Sequence, residues 1–122
     1  MTIQTILVVE PSPIERAQLS SILTTAGYTV TVAGDGEEAV EIARREGPDL
    51  ILMEVVMPGL NGYQATRALT RSEDESLARI PVILISAKGQ DTDKVWGLRQ
   101  GAIDYLVKPV TEHELLTRIA DI

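Results

Sequence analysis

Four short apolar runs in this chain each end in a group able to do chemistry. Leu50-Ile51-Leu52-Met53 runs into Glu54, and Ile6-Leu7-Val8-Val9 runs into Glu10. Val82-Ile83-Leu84-Ile85 ends at Ser86, and Tyr105-Leu106-Val107 ends at Lys108-Pro109. An apolar run of this length closed by a turn signal, here Pro58-Gly59 beyond Glu54, reads as a parallel-sheet strand buried on both faces. A charge at the C-terminal end of such a strand stands at the edge where open α/β sheets hold their ligands. Two carboxylates, a hydroxyl and an amine are therefore expected to converge at one sheet edge.

The elements that must position these groups alternate. Strand-like and helix-like patterns follow each other five times, with no linker, repeat or low-complexity segment, so a single domain over 1–122 accounts for the chain. After the first strand, Ser12 through Glu15 has the S-x-x-E capping-box form with Pro13 at the first helical position, and Gly27 closes a helix carrying Ile14, Leu19, Ile22 and Leu23. Tyr28 to Ala33 reads as a short strand. Asp35 with Glu38 caps a second helix whose stripe is Ala39, Val40, Ile42 and Ala43, stopped by Gly47-Pro48. Asn61 opens a third helix, which fades into a charged loop from Arg71 to Arg79. A fourth helix is expected from about Asp91 to Gln100 with Gly101 just beyond it, and Thr111 with Glu114 caps the last. Alternating βα units imply right-handed crossovers and a doubly wound α/β domain, a five-stranded parallel sheet of flavodoxin-like order 2-1-3-4-5. Glu10 and Glu54 then flank its switch point.

Composition narrows the function classes. At 122 residues and 44% hydrophobic content the chain suits one domain with one core. A net charge of -7 offers no footprint for nucleic acid, and no cysteine is present for a disulfide or thiolate metal site. No run approaches the length of a membrane span and no signal-peptide pattern opens the chain, so a cytoplasmic protein is expected. A nucleotide-binding enzyme of the same fold class is disfavoured, because Glu10-Pro11-Ser12-Pro13 stands where a glycine-rich phosphate loop would follow the first strand.

The acid after Ile-Leu-Val-Val, the acid before Met-Pro-Gly-x-x-Gly, the hydroxyl before Ala-Lys, and Gly-Ala-x-Asp-Tyr-Leu-x-Lys-Pro together resemble the CheY-like receiver domain of two-component response regulators, over the whole chain. The stretches 91–102 and 58–67 further resemble stand-alone regulators of chemotaxis-like systems governing type IV pilus motility. The resemblance implies that an acidic pair after the first strand and an aspartate ending the third hold Mg²⁺, and that this aspartate accepts a phosphoryl group from a histidine kinase. Such chemistry needs an in-line carboxylate nucleophile, hard oxygen ligands for the metal, and a cation and hydroxyl for the phosphoryl oxygens. By position, Lys108 is the cation and Ser86 the hydroxyl. Tyr105 matches the family's aromatic switch, and Lys108-Pro109 the family's cis peptide.

Two departures stand at this site. Glu54 occupies the phosphoacceptor position, and the acidic pair is Glu10-Pro11, so one metal ligand is absent. Glu54 and Glu10 each push a carboxyl group one methylene further, by roughly 1.5 Å. A nucleophile misplaced by about 1 Å loses on the order of 100-fold in rate. The expectation is a pseudo-receiver that is no enzyme and has no firm cofactor, with Mg²⁺ held weakly or not at all by Glu10, Glu54 and the Val56 carbonyl. The alternatives are a phosphoacceptor receiver whose aspartate was replaced by a phosphomimetic glutamate, or one that still binds Mg²⁺. A direct Glu54–Lys108 contact is expected, since Lys108 is the one cation the fold brings there.

Partners are expected to be proteins, a histidine kinase or a motility output protein, met through the face of the fourth helix, fifth strand and fifth helix. Trp96 beside Tyr105 marks that surface, with Val95, Leu98 and Ala102 as the buried stripe of the same helix. Monomer or weak dimer is the expected state. His113, the one histidine, is expected in solvent.

Overall fold

The computed structural model describes residues 2–122. Five strands form one parallel sheet in the order β2-β1-β3-β4-β5: β1 (Thr5–Val9), β2 (Thr29–Ala33), β3 (Leu50–Glu54), β4 (Val82–Ser86) and β5 (Asp104–Val107). This is the expected topology. Because strand side chains alternate between faces, β1 sends Ile6 and Val8 to one layer and Leu7 and Val9 to the other. The first layer packs on Leu23 of α1 (Pro13–Thr25) and on Leu115 and Ile119 of α6 (Glu112–Ala120). The second packs on α2 (Gly36–Glu46) and α3 (Gly62–Thr70) through Ala39, Ile42, Ala65 and Leu69. Burial on both faces explains why β1, β3 and β4 are continuous apolar runs.

The helix caps follow the sequence signals. Asp35 accepts from the Glu38 amide at 2.8 Å, Asn61 and Gln64 form a reciprocal capping box, and Thr111 accepts from the Glu114 amide at 3.0 Å. Gly47 ends α2 at φ +58°, a left-handed conformation that glycine adopts without the Cβ penalty. Of the apolar residues that α1 carries, Ile14 is 72% exposed, whereas Leu23 is fully buried.

Two expectations are corrected. The segment expected as a charged loop contains a four-residue helix, α4 (Glu75–Ala78), begun by Asp74, whose Oδ1 accepts from the Ser76 amide, and seated by buried Leu77. The helix expected fourth is therefore α5 (Asp91–Arg99), and its buried face is not the one its apolar residues suggest. Val95 and Leu98 are 48% and 49% exposed, while Gly97 and Gln100 turn inward and Ala102 is buried just beyond the helix. The cause is close approach. A Cβ built on Gly97 would stand 2.8 Å from Leu84 Cδ1 and 2.9 Å from Tyr105 Cδ2, so the helix backbone lies directly on the sheet. Gly97→Ala should cost about 1–3 kcal/mol through overpacking, exceeding the gain of up to about 1 kcal/mol in helix propensity. A urea melt checks the sign, since propensity alone would stabilise.

Candidate functional site

The C-terminal ends of β1, β3, β4 and β5 bring Glu10, Glu54, Ser86 and Lys108 together. The peptide between Lys108 and Pro109 is cis. The Lys108 ammonium donates to Glu10 Oε1 at 2.7 Å, to Glu54 Oε1 at 2.8 Å and to Glu15 Oε1 at 2.9 Å. The expected Glu54–Lys108 contact is thus one arm of three, and all three ammonium protons have a carboxylate acceptor.

The second oxygens of the two buried acids are also occupied. Glu10 Oε2 accepts from the Ser12 amide and Glu54 Oε2 from the Val56 amide, each at 2.9 Å. Glu10 is 3% and Glu54 8% exposed, which charged groups tolerate only when paired and hydrogen-bonded. Burial alone pushes the Glu54 carboxyl up, but the bonds from Lys108, Ser86 and Val56 outweigh it and hold Glu54 below its ordinary value. Burial likewise favours the neutral amine of Lys108, and Glu10, Glu54 and Glu15 override it, raising Lys108 above its usual range.

Glu15 was legible in the sequence only as a capping residue. Its partner Ser12 does cap α1, accepting from the Glu15 amide at 3.3 Å. The return arm of the box is missing, because the Ser12 amide is already taken by Glu10. Glu15 is thereby free to turn to Lys108.

Ser86 is fully buried, and its Oγ accepts from the Lys88 amide at 3.3 Å. Tyr105, expected beside Trp96 on the surface, is only 7% exposed: its ring fills the space over Gly97, and its hydroxyl donates to the Lys88 carbonyl at 2.6 Å. Burial and the neighbouring Tyr63 hydroxyl raise its phenol above the ordinary value. Tyr63 donates to the Asp93 carbonyl at 3.1 Å, and Asp93 lies 3.7 Å from Lys88. The surface of α5 is instead apolar and open, with Val95, Trp96, Leu98 and nearby Ile103 each about half exposed. His113 is exposed.

The residues present do not suit a divalent metal. Lys108 stands among the acids Glu10, Glu15 and Glu54 and bonds all three, and Pro11 supplies no oxygen ligand from its side chain. Among the described residues, no group of three or more His, Cys, Asp or Glu side chains has metal-holding geometry.

The family model described as the response regulator receiver domain matches residues 6–120. The chain is a response regulator receiver domain. This receiver is 53% identical over 114 residues to protein PilH of Pseudomonas aeruginosa, covering 93% of each chain. It is 40% identical to the probable transcriptional regulator ycf27 of Porphyra purpurea but spans only 46% of that protein's length. In structure the receiver superposes on chemotaxis protein CheY4 of Vibrio cholerae with a TM-score of 0.91 at 28% identity, covering 99% of both chains. It matches the receiver domain of sensor histidine kinase PA1611 of P. aeruginosa with a TM-score of 0.88 at 36% identity over 98% and 97% of the chains, and that structure holds magnesium in its active-site cleft. No helix among the described residues is long and apolar enough to cross a membrane.

Proposed function

We propose that this receiver is a pseudo-receiver: a stand-alone signalling module of the PilH kind, in a chemotaxis-like system of type IV pilus motility, working by protein contact without a phosphorylation cycle. The observation that carries this reading is the state of Lys108. The amine that should meet a transferring phosphoryl group already gives all three protons to carboxylates, and the carboxylate that should attack is one of them. A nucleophile tied to the cation that should stabilise its reaction has to break that bond before it attacks. Glu54 instead supplies a standing negative charge beside Lys108 and Ser86, with the Tyr105 ring held inward as the switch residue. Incubation with a small acyl-phosphate donor and Mg²⁺ should leave the intact mass unchanged. A stoichiometric phosphoryl adduct would overturn the reading.

Mg²⁺ should bind no tighter than the millimolar range. Glu15 brings the pocket's formal charge to -2, more than two acids and a lysine would give, but Lys108 occupies the position between the oxygens that a hard cation would have to take. Calorimetric saturation well below about 1 mM, tighter than the weakest class of oxygen-ligand sites, would contradict this. Output runs through the face of α5, β5 and α6, where Trp96, Val95 and Leu98 offer an apolar surface to a protein partner such as a histidine kinase or motility output protein.

The phosphomimetic reading draws on the same Glu54–Lys108 bond, since a glutamate in an aspartate's place would also reach the amine. Replacement of the acidic pair as well by Glu10-Pro11 disfavours it, because a phosphomimic needs no change there.

A further inference from the structure

Glu15 does not belong to the sheet edge that builds the rest of the site. It is the third residue of α1, reaching Lys108 across 93 residues of sequence, and it ends 2.9 Å from the ammonium. Two features make that reach possible. Pro11 leaves a gap in acidity where a second carboxylate would follow Glu10, and Glu10 Oε2 takes the Ser12 amide that Glu15 would otherwise bind. The side chains differ in exposure as well. Counting side-chain atoms alone, Glu15 is 45% exposed, against 3% for Glu10 and 10% for Glu54.

We propose that Glu15 is a positioning residue for Lys108: it replaces the carboxylate missing at Pro11 and forms the one releasable arm of a three-carboxylate cage that keeps the lysine from any phosphoryl or carboxylate group entering the pocket. The proposal rests on the pseudo-receiver reading, in which Lys108 rather than a metal is the resident cation. Two buried arms hold the amine in place, and the exposed arm closes the mouth. The first turn of α1 thereby controls access to a residue beyond β5, and a cation drawing Glu15 outward would free one ammonium proton for a new acceptor.

The test separates this role from helix capping. Exchange of the Lys108 ammonium protons with water, followed by ¹⁵N-resolved NMR on the whole protein, reads their protection directly. Glu15→Ala should speed exchange by roughly three- to fivefold, the size of a partly exposed ion pair. Glu15→Gln, whose carbonyl still accepts, should give a smaller rise. Ser12→Ala weakens the cap of α1 but removes no acceptor from Lys108, so it should lower the melting temperature while leaving exchange unchanged. Unchanged exchange in both Glu15 variants, or an equal rise in Ser12→Ala, would overturn the proposal. Intact mass after phosphodonor treatment is read on the same samples. An adduct on the unsubstituted protein would sink the pseudo-receiver reading while the exchange result still decides the role of Glu15.

Discussion

Lys108→Met is expected to cost at least about 3 kcal/mol of folding stability at neutral pH. The substitution roughly keeps volume and removes the one cation between Glu10 and Glu54, two carboxylates that are almost wholly buried. Breaking a buried pair by deleting one partner typically costs about 3–5 kcal/mol, because the remaining charge stays desolvated and unpaired. Here two charges are orphaned and face each other. The amides of Ser12 and Val56 remain, which limits the loss.

The pH dependence has a definite sign. Glu54 is held below its ordinary 4.5, so its contribution is present above that pH and is lost as pH falls through the lower folded-state value. Lys108 is held above its ordinary 10.5, so its contribution is complete below that pH and is lost only at higher alkalinity. The contribution of this pair should therefore be flat between these limits. In Lys108→Met the unpaired Glu54 rises above 4.5 instead, and the difference from the native protein shrinks on acidification as the carboxyl becomes neutral. Glu54→Gln in the Lys108→Met background should recover part of the loss, and Glu10→Gln added to both should recover more, because both acids bond the same ammonium. Urea melts of these variants, with Glu54→Gln and Glu10→Gln made singly to complete the cycles, at neutral and acid pH settle it. Strictly additive losses would show that the cage carries no coupling.

The difference between the one arm expected and the three observed on Lys108 shows where sequence reasoning stops. Glu10, Glu54, Ser86 and Lys108 were legible because each ends an apolar run, and the strand order that apolar runs and glycine punctuation imply brings those ends together. Glu15 was not, since S-x-x-E has a complete local explanation as a capping box and its return arm is displaced by Glu10 only in the folded chain. The same limit governs α5. Periodicity weighs side chains by hydrophobicity and so favours Val95 and Leu98, whereas the surface buried is the one with no side chain, Gly97 against Leu84 and Tyr105. That choice also determines where Tyr105 goes, since a helix lying this close leaves its ring packed beneath it and leaves Trp96 on the surface without it. The four-residue α4 is too short to register as a period at all.

Repairing the site should be strongly non-additive. Glu54→Asp alone withdraws the carboxylate by one methylene, roughly 1.5 Å, which loosens its bond to Lys108 and restores the length of a usual receiver nucleophile. It does not restore the metal ligand missing at Pro11, and Lys108 remains held by Glu10 and Glu15. Phosphorylation of the carboxylate by a small phosphodonor should therefore stay near background. Pro11→Asp adds the missing carboxylate, and Glu10→Asp draws the other acid back from Lys108, opening room for Mg²⁺ between the oxygens. Nucleophile and metal act as one unit, so either repair alone gains little while the three substitutions together should raise phosphorylation by at least the order of 100-fold associated with a misplaced nucleophile of about 1 Å. Proline at position 11 also leaves no amide proton there, so its replacement restores a donor near the metal pocket as well as a side chain. Intact-mass time courses with and without Mg²⁺ measure each variant. Rapid stoichiometric acyl-phosphate on Glu54→Asp alone would mean that the machinery is whole and Glu54 a phosphomimetic replacement. A Mg²⁺-dependent gain confined to the triple variant would show that Glu10-Pro11 and Glu54 silence the site together.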